Sequence, residues 1–230
     1  MKCSKFIVGV LLLGPPASAA CAGDFDTEKV RTACPGIAAW QKIHPDTMQT
    51  SPPHQGSDLK LVAELRKMVE EDQAARNFDP QNMNEAVFRR MQRVDRRDDK
   101  ILRAIVQRLG VPTTALIGTD GMKDFWLLVQ HADRDVKLQE AVLKKFADGI
   151  SGASLPEVAY LTDRVRRNQG HPQLYGSQFE SKNGGPFTLE ETEDLAHLPE
   201  RRQSMGLMPF EDYECGITVV YDNASSPPVH

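Results

Sequence analysis

The chain has 230 residues, a formal net charge of −4 and 40% apolar residues. That length favours one domain with a real hydrophobic core, and the mild acidity argues against a nucleic-acid binder as a whole. No apolar run reaches the roughly 20 residues a membrane-spanning helix needs.

The N-terminus reads as an export signal. Lys2 and Lys5 give a positive start, Phe6 to Leu13 an apolar run, and Ala17-Ser18-Ala19 small residues for cleavage. Gly14-Pro15-Pro16 follows at once and argues against a buried N-terminal helix. Residues 1–20 are therefore expected to be removed and the protein to be periplasmic or secreted. Ser18-Ala19-Ala20-Cys21 loosely resembles the bacterial lipoprotein box, but Ser18 stands where that box usually has a large apolar residue. Simple cleavage is preferred over acylation and anchoring through Cys21. Cys3 leaves with the signal, so Cys34 and Cys215 remain, and an oxidising compartment favours their pairing as a disulfide over two free buried thiols.

Residues 21–56 read as a partly ordered N-terminal segment and linker. Thr27 is placed to cap a short helix toward Lys42, interrupted by Pro35-Gly36, and Ser51-Pro52-Pro53 reads as connection. A helical domain is expected over 57–216, with a loose C-terminal tail over 217–230. Ser57-Asp58 opens a helix with Leu61, Leu65, Met68 and Val69 at helical spacing. Glu85 to Leu109 is the next, ended by Gly110. Asp98 interrupts its apolar stripe, so it is either a buried acid in a site or half of an ion pair. The same helix carries Arg89, Arg90, Arg93, Arg96, Arg97 and Arg103; interleaved Asp95, Asp98 and Asp99 predict a self-paired, solvated face.

Gly118 to Gly121 reads as a turn before a helix that is apolar nearly all round from Phe125 to Val129 and hence buried. Gln130 and His131 close it, where polar groups must find partners. Asp133 or Asp135 is placed to cap a helix to about Ile150, striped by Val136, Leu143, Phe146 and Ile150 with Gln139 as its polar intruder. Ser154 caps another to about Asn168, with Leu155, Val158, Leu161 and Val165 facing in and Tyr160, Asp163, Arg164 and Arg167 on the other side. Asn183-Gly184 is a hairpin turn signal, and a helix is expected around Thr192 to Met205. The fold class is mainly α: a bundle of about five to seven helices with a small β-hairpin or irregular flap near 172–190.

Three stretches, FWLLVQHADRDVKLQ, AYLTDRVRRNQGHPQLYGSQ and RRQSMGLMPFEDY, resemble the signatures of a bacterial domain-of-unknown-function family, number 6624. The resemblance covers roughly Leu59 to Tyr213. It implies that the motifs belong to one domain and carries no activity with it.

The motifs concentrate polar side chains on three elements: the His131 helix end, the face carrying Asp163 and Arg164, and the 171–178 segment. Helices joined by short loops pack on their sequence neighbours, so the three are expected to meet in a cleft. Gln130, Arg164, Gln173, Tyr175 and Gln178 would bind a small polar, glycan-like or peptide-like ligand. As an enzyme, the same cleft would use His131 as general base, an imidazole being suited to proton exchange near neutral pH, with Asp133 or Asp163 orienting it; the reaction would be a hydrolysis or transfer without metal. Ser177 lacks the Gly-x-Ser-x-Gly elbow of a nucleophile. No metal-ligand spacing is present and no cofactor is implied. The partner is expected to be a small polar ligand or an envelope component, not nucleic acid. A third alternative is an envelope protein-interaction or immunity-type module in which these residues are only scaffold.

Overall fold

The computed structural model describes residues 6–8, 27–44, 55–77, 84–181 and 186–221. Most of the expected export signal, Cys21, the expected Ser51-Pro52-Pro53 connection and Asn183-Gly184 turn, and residues 222–230 lie outside the described residues.

The architecture is mainly α-helical with a small antiparallel hairpin. In chain order the elements are β1 (Phe6–Val8), α1 (Thr27–Ala33), α2 (Pro35–Ile43), α3 (Leu59–Arg76), α4 (Glu85–Leu109), α5 (Thr114–His131), α6 (Val136–Ala147), α7 (Leu155–Asn168), β2 (Phe179–Ser181), β3 (Phe187–Leu189), α8 (Leu198–Ser204) and α9 (Phe210–Tyr221). The helices outnumber the expectation because Cys34 separates α1 from α2 and because α9 forms where a tail was expected to begin. Ile217, the first residue of that expected tail, is 3% exposed and packs with Phe179 and Tyr213.

Local chemistry sets most helix starts. The Asp58 carboxylate accepts from Leu61 N–H, Asn84 from Ala86 and Val87, and Asp135 from Leu138. Ser154 and Glu157 form a reciprocal capping box at α7. The expected turn at Gly118 proved to be a kink inside α5, which starts earlier, at Thr114. Gly118 has φ 71°, a conformation glycine adopts without steric cost. Around this break, Ser57 and Asp58 N–H donate to the carbonyls of Ala115 and Leu116 at 3.3 and 2.9 Å, fastening the start of α3 to α5.

The main core is built on α5. Phe125, Trp126, Leu128 and Val129 are at most 2% exposed, and they pack with Leu61 and Leu65 of α3, Leu102 of α4, Val142 and Phe146 of α6, and Leu161 of α7. Two stripe residues differ from expectation: Ile150 is 78% exposed and Leu155 57%. Both stand at helix ends, where no neighbouring element covers them, and on α6 their place is taken by Leu138 and Val142. On α7 the side carrying Asp163 and Arg164 is as buried as the apolar side.

The hairpin is not a loose flap. Phe179 of β2 is buried against Tyr213 and stacks on Phe210 of α9, and Phe179 stands opposite Leu189 of β3 in the register. β1, which lies in the segment expected to be removed on export, pairs antiparallel with the other edge of β2. A smaller apolar cluster joins Val30 and Ile37 of α1 and α2 to Met208, Val219 and Val220. Across it Cys34 and Cys215 stand at disulfide distance, S–S 2.01 Å, and tie the N-terminal helices to α9.

Candidate functional site

Polar side chains gather at one end of the bundle, where the last turns of α3, α5 and α7 come together beside α4. The apolar stripe of α3 continues into Asp72, which stands a further turn beyond Leu65 and Met68 and is 1% exposed. Its Oδ2 is 2.8 Å from Nδ1 of His131, at the end of α5. Gln73 Nε2–H donates to the same oxygen at 2.9 Å. Arg76 pairs with Oδ1 and reaches on to Asp95 of α4 at 2.6 Å. Burial works against a charge on Asp72, but His131 and Arg76 outweigh it and hold the carboxyl below its usual range. The His131 side chain is 11% exposed. With Nδ1 on Asp72, Nε2 is left as the ring nitrogen without a hydrogen-bond partner among the described residues.

Asp133, two residues past the end of α5, collects the end of α7. Asn168 Nδ2–H donates to it at 2.9 Å, Arg167 at 3.3 Å and Arg164 at 3.4 Å. Burial opposes its charge, yet Arg164 and Arg167 keep its carboxyl low. Asn168 also donates to Oε1 of Gln139, whose amide donates back to the Val129 carbonyl at 3.0 Å. The polar intruder of α6 thus ties off the end of α5. Arg164 is 1% exposed, and burial pushes its guanidinium down to about 10. Its Nε–H donates to Gln130 Oε1 at 3.3 Å. Arg164 Nη2 and Gln130 Nε2 are buried without a hydrogen-bond partner among the described residues. Orphaned buried donors are uncommon and call for an explanation.

Asp163 is placed differently. Instead of facing His131, it pins the 171–178 segment. It accepts from the backbone N–H of Leu174, Tyr175 and Ser177 at 2.7, 3.0 and 3.0 Å and from the Ser177 hydroxyl at 2.8 Å. Burial raises its carboxyl, and these donors pull the other way. Gln173 exchanges bonds with the backbone of Gln178 and donates to the Glu190 carbonyl. The Gln178 amide donates to the Ser177 hydroxyl at 2.9 Å. From α8, Arg202 donates to the carbonyls of Tyr175 and Met208 at 2.6 and 2.8 Å while lying against the ring of Tyr213. Tyr175 enters through its backbone, its ring half-buried. The segment is a polar knot in which the Asp163 carboxylate is fully used, while Gln178 Oε1 and Arg202 Nη2 are buried without a hydrogen-bond partner among the described residues.

The residues expected to form one cleft therefore divide. Gln130, His131, Asp133 and Arg164 share one end of the bundle; Asp163, Gln173 and Gln178 are used in holding a loop. Sequence reasoning passed over Asp72, Arg76 and Arg202. Asp72 carried a legible signal, a carboxylate on the apolar stripe of α3. Arg202 carried none, since its carbonyl partners come from two other segments. Asp98 pairs with Arg97 at 2.7 Å and leaves Oδ2 without a hydrogen-bond partner among the described residues; burial pushes its carboxyl up to about 6.

Among the described residues no group of three or more His, Cys, Asp or Glu side chains is arranged to hold a metal ion, and no helix is long and apolar enough to cross a membrane. No curated protein and no solved structure matches the chain. Residues 58–224, which include both polar networks, match a family of unknown function (DUF6624), and the chain belongs to that family.

Proposed function

We propose that this is an exported helical protein that binds a small polar ligand at the His131 end of the bundle. The observation that carries the reading is the pair of orphaned donors, Arg164 Nη2 and Gln130 Nε2, buried next to His131 and Asp133. A hydroxyl, carbonyl or carboxylate oxygen of a ligand would satisfy them. His131 Nε2 would meet a second polar group of the same molecule, with Asp72 holding the ring. The test is mass spectrometry of small molecules released on denaturing protein purified from the periplasm. A compound should be present with the wild-type protein and absent with His131→Ala; the same compounds from both proteins would end the proposal. Export is checked separately by the mature N-terminus and by thiol titration without reductant, where two titratable thiols at Cys34 and Cys215 would contradict an oxidising compartment.

A metal-independent hydrolase or transferase is the second reading, favoured by the Asp72–His131 contact of 2.8 Å. A buried carboxylate on Nδ1 fixes the ring and its tautomer, so that Nε2 is the nitrogen that takes a proton from water or a substrate hydroxyl. Asp72 rather than Asp133 or Asp163 would then orient the base, and Arg164 would face negative charge developing on the substrate. Asp72→Asn would lower turnover of any substrate so identified far more than it weakens binding; equal losses in both would leave binding alone.

A further inference from the structure

The arginines of α4 have a second role to explain. Arg89, Arg93, Arg96, Lys100 and Arg103 follow one another at steps of three or four residues, so they share one ridge of the helix. All five are exposed. The row is about 21 Å long at 1.5 Å per residue.

The acids expected to neutralise this row face the other way. Asp98 and Asp99 are 4% and 9% exposed on the inner side of α4, and Asp95 is held by Arg76. Two carboxylates do pair with the row: Glu85 with Arg89 at 2.9 Å and Asp135 with Arg103 at 2.6 Å. Arg96 donates only to Gln92. Arg93 and Lys100 make no ion pair or hydrogen bond among the described residues. At its Arg103 end the row opens into a surface hollow of about 370 Å³, also lined by Asp135, Leu138 and a further cation, Lys137. Six cations against the paired Glu85 and Asp135, with the nearly buried Asp99 also within electrostatic reach of Arg103, leave a net positive track on a chain whose net charge is −4.

We propose that this row is a docking track for a linear acidic polysaccharide, carrying uronate or phosphate groups, met chiefly by Arg93, Arg96 and Lys100. Successive cations stand roughly 4.5–6 Å apart along the helix axis, so an extended chain with regularly placed charges can meet several at once. The track is one residue wide. That suits a one-dimensional polymer better than a lipid surface, which would also engage neighbouring elements and apolar side chains. It has no aromatic residue on which bases could stack, which disfavours single-stranded nucleic acid; the choice of a glycan over duplex DNA rests on the export reading. The track does not depend on the His131 site.

The test is binding of polygalacturonate and heparin to the full mature protein by calorimetry at about 0.15 M salt, where charges more than ~8 Å apart are largely screened. The double variant Arg93→Glu, Lys100→Glu should weaken binding about tenfold or more, because charge reversal inside the track replaces attraction with repulsion. Lys60→Glu with Lys144→Glu makes the same change in net charge on exposed sites elsewhere and should leave affinity within about twofold. Both double variants should keep the wild-type melting temperature. Equal weakening by the two, no binding by the wild type, or tighter binding to phosphatidylglycerol vesicles or duplex DNA than to either polysaccharide would each overturn the proposal.

Discussion

Asp163 on α7 and His131 on α5 are both polar residues set into buried helices, and they end in opposite conditions. Asp163 receives four hydrogen-bonded groups from Leu174, Tyr175 and Ser177 and has no capacity to spare. Around His131 the count runs the other way, with donors of Arg164 and Gln130 left over and a ring nitrogen unengaged. Residue type does not separate the two regions. What separates them is whether backbone groups lie close enough to use up the hydrogen-bonding capacity. The contrast holds for the two residues and not for every neighbour, since Gln178 Oε1 and Arg202 Nη2 beside Asp163 also lack a partner among the described residues. A carboxylate used up by backbone N–H groups specifies a loop conformation, whereas unengaged donors keep the capacity a ligand would need.

The contrast can be broken by mutation. Asp163→Ala should be the most damaging change, costing about 4 kcal/mol or more because several buried N–H groups lose their acceptor together. Urea denaturation measures it, and a loss below about 1 kcal/mol would mean that Asp163 is not the shared acceptor described. Arg202→Met should cost about 2–3 kcal/mol in the same measurement, since the carbonyls of Tyr175 and Met208 are left unpaired.

A smaller effect concerns Asp98. Its carboxyl is raised to about 6 by burial, above an ordinary unfolded value near 4. A raised folded value contributes stability that is complete at low pH and is lost as pH rises through about 6. Asp99 and Asp124 are pushed up to about 6 as well, so they share this sign. Stability of the wild type should fall between about pH 4.5 and 6.5, and Asp98→Asn should flatten that fall by about 1 kcal/mol. An unchanged pH profile would contradict the burial-raised carboxyl of Asp98. Asp72 has the opposite sign: its lowered carboxyl contributes stability above about pH 4 that is lost on further acidification.

His131→Ala should do least, about 1 kcal/mol or less, because Asp72 keeps Arg76 and Gln73 as partners. A small loss of stability with complete loss of the co-purifying compound would sharpen the contrast with Asp163. A loss as large as that of Asp163→Ala would erase it and make both regions scaffold.

Much of this fold was legible. Asp58, Asp135 and Ser154 mark helix starts because a side-chain oxygen there bonds a backbone N–H within three residues, an interaction that needs no tertiary context. The kink at Gly118 was legible as a break but not as the interior of a helix. Its stability depends on Ser57 and Asp58 reaching the exposed carbonyls from another part of the chain. Likewise α9 was missed because its burial depends on Phe179 and on the helices tied to it through Cys34.

The candidate site divides along the same line. That Gln130, His131, Asp163 and Arg164 sit on buried elements followed from period and composition alone, since an apolar helix face carries its polar neighbours inward with it. Which of them would be consumed was decided only in three dimensions. Hydrogen bonds reach about 3 Å, and it was the folded chain that brought Asp72 to His131, Arg202 to Tyr175, and the 174–177 backbone to Asp163. On α4 the division is sharper still. The sequence determined that seven arginines and three aspartates share one helix, and helix geometry together with the packing of its apolar face against α3 and α5 turned Asp98 and Asp99 inward and left Arg89, Arg93, Arg96 and Arg103 exposed.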